Sequence, residues 1–146
     1  MSKKIIFSVL LLFCLIHSVN AQKWYTDIDT AKKIAIQNDQ RIILVFQGSD
    51  WCAPCIKLEK EIWESNEFKT YAKDNFVLLK ADFPRKNKNR LSKIQQDKNN
   101  MLAEKYNPYG SFPKVVVLNK NAEIIGATGY KKLSPSEYIS LLNSFN

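Results

Sequence analysis

Apolar and polar positions follow two rhythms along this chain, and the rhythm changes at short polar or proline-containing breaks. In "DIDTAKKIAIQND" the residues Ile28, Ala31 and Ala35 recur at helical spacing, and Asp29 can cap the start. "RIILVFQ", Arg41 to Gln47, is a short β-branched apolar run and predicts a buried strand. Leu58 and Ile62 then continue the spacing of Cys55, which predicts a helix from near Ala53 to about Trp63. Pro54 suits its first turn, where a missing N–H costs nothing. Phe68, Tyr71 and Ala72 predict a second helical segment, and "NFVLLKADF" a second strand.

From Pro84 to Asn100 the apolar rhythm lapses, and Met101 to Tyr106 reads as the end of a helix. "KVVVL" and "AEIIG" predict a hairpin around Asn119 to Asn121. "SPSEYISLLNSF" opens on Ser134, Pro135 and Glu137, a capping box with proline at the first helical position. Tyr138, Leu141, Leu142 and Phe145 form the apolar stripe of this closing helix. The order is helix, strand, helix, strand, helix, strand, strand, helix. A continuously apolar strand joined to the next by a helix implies an α/β domain, its central sheet covered by helices on both faces. The last two strands read as antiparallel, so the sheet is mixed. Trp24, Tyr25 and Trp63 read as core or edge packing, and Asp82 as the cap of a turn.

Composition adds a compartment. The 146 residues are 45% apolar and 25% charged, which fits one globular domain. Lys3 and Lys4 precede an apolar run from Ile5 to Ile16 and the small residues of "SVNA". That is the layout of a secretory signal peptide cleaved after Ala21, leaving residues 22–146 as the mature domain. A membrane span needs about 20 apolar residues, more than this run provides. Lipidation at Cys14 is disfavoured by Phe13, which stands where a small residue is required. Cleavage removes Cys14 and His17, the only histidine, and lowers the net charge from +8 to +6 with the loss of Lys3 and Lys4. The mature chain keeps two cysteines and no imidazole, in an oxidising periplasmic or extracellular space where disulfides persist.

Those two cysteines stand in "GSDWCAPCIKLEKEIW". A strand feeding directly into a helix puts Cys52 at the helix N-terminus, where free N–H groups and the dipole stabilise an anion. Its thiol pKa is expected to fall from about 8.5 toward 7 or below. Cys55 lies one turn on. The pair suits two-step exchange, in which Cys52 attacks a disulfide and Cys55 resolves the mixed disulfide. A staple is a weaker reading, because so small a loop restricts the unfolded chain by only about 2 kcal/mol before strain. Zinc is weaker again, since it wants four ligands and the chain offers two thiols.

"WCAPC" after an apolar strand resembles the active site of the thioredoxin superfamily. "VFQGSDWCAPCIKLEKEIW", "NFVLLKADFPR" and "SFPKVVVLNKNAEIIGATGY" together resemble exported bacterial thioredoxin-like proteins, over Trp24 to Asn146. The resemblance implies a thioredoxin-like fold, with Cys52 as nucleophile, Cys55 as resolving thiol and Trp51 flanking them. Pro113 matches the proline that family members hold in cis, which leaves the backbone of Phe112 free to pair with an extended substrate. The implied activity is exported thiol–disulfide exchange on protein disulfides by a monomer, with no dissociable cofactor and no metal. Ala53-Pro54 is closer to the Gly-Pro of reducing members than to the Pro-His of strong oxidants. A reductase or isomerase is therefore expected, fed by a membrane-bound thiol reductant. The other reading is a redox-inactive binding module that holds proteins on the surface around Pro113.

Three departures stand out. Thioredoxins carry a buried aspartate six residues before the first cysteine, where this chain has Phe46, so water, Asp50 or Glu59 must take its part. Lys114 follows Pro113 where threonine is common, and "YNPYGSFP" is one residue longer than usual, which predicts a reshaped loop. The basic run Arg85 to Lys93 reads as a solvated loop, or else as a receiver of an acidic partner or anionic surface. No aromatics interleave it, which argues against nucleic acid.

Overall fold

In the computed structural model, which describes residues 21–146, five helices enclose a five-stranded sheet. The signal-peptide reading lies outside the described residues. Helix α1 (Ile28–Asn38) can lie close to the sheet because Ala31 and Ala35 are small, and both are fully buried. Asp27, not Asp29, caps it. The Asp27 carboxylate accepts the Thr30 N–H at 2.9 Å and the Thr30 hydroxyl at 2.8 Å. Asp29 falls in the first turn, where its charge still suits the helix dipole.

The strands are β1 (Trp24–Tyr25), β2 (Arg41–Gln47), β3 (Phe76–Asp82), β4 (Lys114–Leu118) and β5 (Ile124–Thr128). They lie in the order β1-β3-β2-β4-β5. The first three are parallel, while β4 runs antiparallel to β2 and β5 antiparallel to β4. The sheet is thus mixed, as the pattern predicts. Trp24 and Tyr25 form its short edge strand. Strand β5 begins at Ile124, inside "AEIIG", and runs on to Thr128, with a register shift against β4 between Val117 and Leu118.

Strand alternation divides the core. Ile42, Leu44 and Phe46 face one layer, formed by α1 and by α4 (Lys93–Tyr106). Ile43 and Val45 face the other layer. There they meet α2 (Ala53–Leu58), α3 (Asn66–Asn75) and α5 (Pro135–Asn143). The Ser134–Glu137 capping box is present in full.

Two helices differ from the pattern. Helix α4 starts at Lys93, two turns before Met101, with Ser92 accepting the Gln95 N–H. Its first half shows no apolar period because Asn99 occupies a core position. Asn99 is 2% exposed and donates to the Asp82 carbonyl at 2.8 Å. Helix α2 continues to Trp63 as a π-turn (Glu59–Trp63), with the Glu64 N–H reaching the Glu59 carbonyl at 2.8 Å. The wider turn buries Ile62 and Trp63 side by side. Trp63 then sits among Trp24, Phe68 and Tyr138, with ring centroids 4.7–5.8 Å away.

Candidate active site

Strand β2 ends in a turn that carries the cysteines. The Trp51 and Cys52 N–H groups both return to the Gly48 carbonyl, at 3.3 and 2.9 Å. Asp82, which pairs with Gln47 at the end of β3, accepts the Ser49 N–H at 2.9 Å and its hydroxyl at 2.6 Å. Cys52 is the extended N-cap of α2, and its carbonyl accepts the Ile56 N–H at 3.0 Å. Pro54 occupies the first turn, where it fits the missing donor. Cys52 and Cys55 form a disulfide with their Cα atoms 5.2 Å apart, and each residue is only 4% exposed.

Aromatic residues wall one side of this pair. Trp51 lies against Gly48, where any Cβ would collide with the indole. Its Nε1–H donates to the Phe83 carbonyl at 2.7 Å. The Arg85 guanidinium stacks 3.7 Å from the Trp51 ring centroid, and Phe112 meets the same ring edge-on at 5.5 Å. The Phe112–Pro113 peptide bond is cis. Buried Asn107 closes the approach to it, donating to the Ser111 carbonyl at 2.8 Å and accepting the Ser111 N–H at 3.0 Å. This Asn107 clamp, with Gly110 at φ 64°, is how the longer "YNPYGSFP" loop is accommodated. Trp51, Phe112 and Pro113 are thereby brought to the cysteine motif.

The carboxylates divide sharply. Asp50 accepts the backbone N–H of Arg85 at 2.9 Å and of Lys86 at 3.0 Å, and the Asn89 amide at 2.9 Å. The Arg85 N–H above all, then Asn89, holds the Asp50 carboxyl down at about 2. Asp50 is an anchor for the basic loop, and its acceptor sites point away from a proton-relay role. Glu59 stands one helical turn after Cys55 and bonds Lys80 at 3.3 Å. Gln47, Cys55, Glu59 and Lys80 all line one cleft of about 370 Å³.

Phe46 itself lies away from this cleft. Phe46 is fully buried in the layer of α1 and α4, on the sheet face opposite α2. Successive strand residues point to opposite faces, so the residue next to Phe46 is the one turned toward the cysteine helix. The next residue, Gln47, shares the Cys55 cleft. Lys114, paired with Phe46 across β2 and β4, begins strand β4 directly after Pro113. Sequence reasoning missed Gln47 and Lys80, and it named Arg85 in the basic run without its place on the Trp51 ring. Only Lys80 left a signal, as the one charge inside an apolar strand. Among the described residues, no three His, Cys, Asp or Glu side chains gather as a metal site.

Comparison with known proteins agrees with this geometry. The family described as thioredoxin-like domain matches residues 28–146. Disulfide bond reductase DsbH of Chlamydia pneumoniae is 33% identical over 108 residues. That match takes in 74% of this chain and 63% of the relative, so the chain spans under two thirds of that relative's length. A solved DsbH oxidoreductase superposes with a TM-score of 0.76 at 30% identity, covering 84% of this chain and 82% of that one. A thioredoxin from Thermus thermophilus has the same fold, with a TM-score of 0.64 at 16% identity over 85% of this chain and 86% of its own.

Proposed function

The chain belongs to the thioredoxin-like family, and from that premise we propose that it is a thiol–disulfide oxidoreductase acting on protein disulfides as a reductase or isomerase. The observation that carries the reading is the Cys52–Cys55 disulfide at the β2–α2 junction, walled by Trp51 and Phe112. In the reduced enzyme the Cys52 thiolate is held at a helix start, where N–H groups and the dipole favour the anion. It attacks one sulfur of a substrate disulfide. A Cys52–substrate bond forms, the substrate S–S bond breaks, and the leaving thiolate takes a proton. Cys55 then loses its proton and attacks the Cys52 sulfur, releasing the second substrate thiol. The substrate gains two electrons and two protons, and the enzyme is left with its disulfide.

Trp51, Phe112 and Pro113 form the substrate-binding wall. Glu59, on the cleft it shares with Cys55, takes the Cys55 proton, with Lys80 holding its carboxylate in place. The pair itself carries the electrons, and a membrane-bound thiol reductant restores it. The working form is a monomer comprising residues 22–146, exported to the periplasm or beyond after loss of residues 1–21. Support for export is the basic, apolar and small-residue layout of the first twenty-one positions. Support for the reducing direction is Ala53-Pro54 between the cysteines and the likeness to a protein named disulfide bond reductase.

The test is reduction of a disulfide-bonded protein under a chemical thiol donor. Cys52→Ser abolishes turnover, and Cys55→Ser accumulates a mixed disulfide with the substrate. A Cys52→Ser protein that keeps full activity in the cell would overturn the reading in favour of a redox-inactive binding module.

A further inference from the structure

The basic run Arg85 to Arg90 has exposed side chains, yet its backbone is fastened to the cysteine motif. Asp50, two positions before Cys52, binds the Arg85 and Lys86 N–H groups and the Asn89 side chain. A short 3₁₀ turn (Asn87–Asn89) holds Lys88 on the same loop. Arg85 is stacked on Trp51, itself next to Cys52 and in contact with Phe112. The loop is therefore a fixed rim of the site.

Charges on this rim are unevenly spent. Asp50 is occupied by three donors, Asp82 by Ser49 and the Phe83 N–H, and Glu59 by Lys80. Among the described residues, no carboxylate pairs with Arg85, Lys86, Lys88 or Arg90; the Arg90 guanidinium bonds only the neutral Asn87 amide. Hydrogen bonds from neutral N–H and O–H groups do not cancel a carboxylate's charge, and Lys86 acts on Asp50 through its own. The four cations Arg85, Lys86, Lys88 and Arg90 nonetheless outnumber Asp50 and Asp82 on this rim, so an incoming chain meets net positive potential. Such a field raises encounter rates for partners of opposite charge by about 10- to 1000-fold and fades with salt.

We propose that this rim, resting on the oxidoreductase reading above, selects protein substrates whose target disulfide is flanked by acidic residues. Aspartate or glutamate beside the substrate cysteine would lie along Arg85, Lys86 and Lys88 while its sulfur meets Cys52. The step is the same exchange, with the rim setting which disulfides arrive.

The test uses two disulfide-bonded peptides of equal size, one with Asp and Glu beside its cysteines and one with Asn and Gln. The readout is the ratio of their kcat/KM values, which a general loss of activity leaves unmoved. The wild-type ratio is expected to be about tenfold or more at low salt and to fall toward unity as salt rises. In Lys86→Glu/Lys88→Glu it falls to unity or below at low salt, with an unchanged far-ultraviolet spectrum. Equal reduction of both peptides by the wild type at low salt overturns the proposal while leaving the oxidoreductase reading intact. Failure to reduce either peptide, or a small uncharged disulfide, sinks that reading instead. Equal peptide rates together with rim-dependent binding to anionic lipid vesicles would overturn the proposal by assigning the loop to a membrane surface.

Discussion

At the scale of single residues, the proton route turns on which face of a strand each side chain takes. Counting upstream from Cys52 selects Phe46, but a strand side chain is defined by its face as much as by its position. Phe46 belongs to the α1–α4 layer, and Gln47 is the residue beside Cys55. No motif announced this, because strand phase is set by pairing with β3 and β4. Gly48 was equally silent, since its need for an absent Cβ arises only when the Trp51 indole lies on it. With Gln47 unable to take a proton, two carboxylates line the Cys55 cleft, Glu59 and Glu64, and Glu59 is the one a single helical turn from Cys55 and bonded to Lys80. Glu59→Gln keeps the shape and removes the base. Its effect belongs to the second step: attack by Cys52 stays near the wild-type rate, while resolution slows by about tenfold or more. General base catalysis supplies about 10²- to 10⁴-fold, and water in an open cleft recovers part of it. Acid-quenched reactions separated by mass would show the mixed disulfide accumulating. Wild-type resolution in this variant would remove Glu59 from the route.

Whole elements were legible where apolar spacing alone decided them. Strand β2, the β4–β5 hairpin and the boxed start of α5 each follow from local chemistry. The π-turn was hidden because it answers a tertiary demand, the burial of Trp63 among three aromatic rings. The first half of α4 was hidden because a buried asparagine replaces an apolar residue there. The basic loop was legible as charge and illegible as structure, since its anchor is Asp50, far back in the chain. That anchor makes the loop pH-dependent in a defined direction. Asp50 has its folded value near 2, below the ordinary 3.8, so the carboxylate holds the loop more tightly when ionised. Its stabilisation is fully present above about pH 4 and is lost as pH falls through about 2. Protection of the Arg85 and Lys86 amides in hydrogen exchange should therefore be flat above pH 4 and drop toward pH 2. In Asp50→Ala it should already be lost at neutral pH, with the sheet amides unaffected. Protection equal to that of the wild type in Asp50→Ala would mean that the loop is held by something other than this carboxylate.

At the scale of the molecule, redox direction and folding stability are one equilibrium measured in two ways. A cysteine pair that reduces its substrates favours its own disulfide, and a strong oxidant is one whose reduced form is the more stable. Linkage then requires the oxidised fold of a reductase to be the harder to unfold. Nothing around Cys52 supplies the extra cation that would reverse this order inside the motif, where Ala53 and Pro54 stand and no histidine is present. The rim cations lie outside it, and the nearest, Arg85, is turned onto the Trp51 ring. Closing so short a loop contributes about 2 kcal/mol at most in the unfolded-chain account. For a domain of this size that corresponds to a fall of roughly 5–10 °C in thermal midpoint when the pair is reduced. The matching potential, by equilibration with glutathione, should lie nearer the thioredoxin value of about −270 mV than the −120 mV of a strong oxidant. The two measurements must agree in sign. A reduced protein that melts above the oxidised one, with a potential near the oxidising end, would make this chain a donor of disulfides and reverse the direction proposed for it.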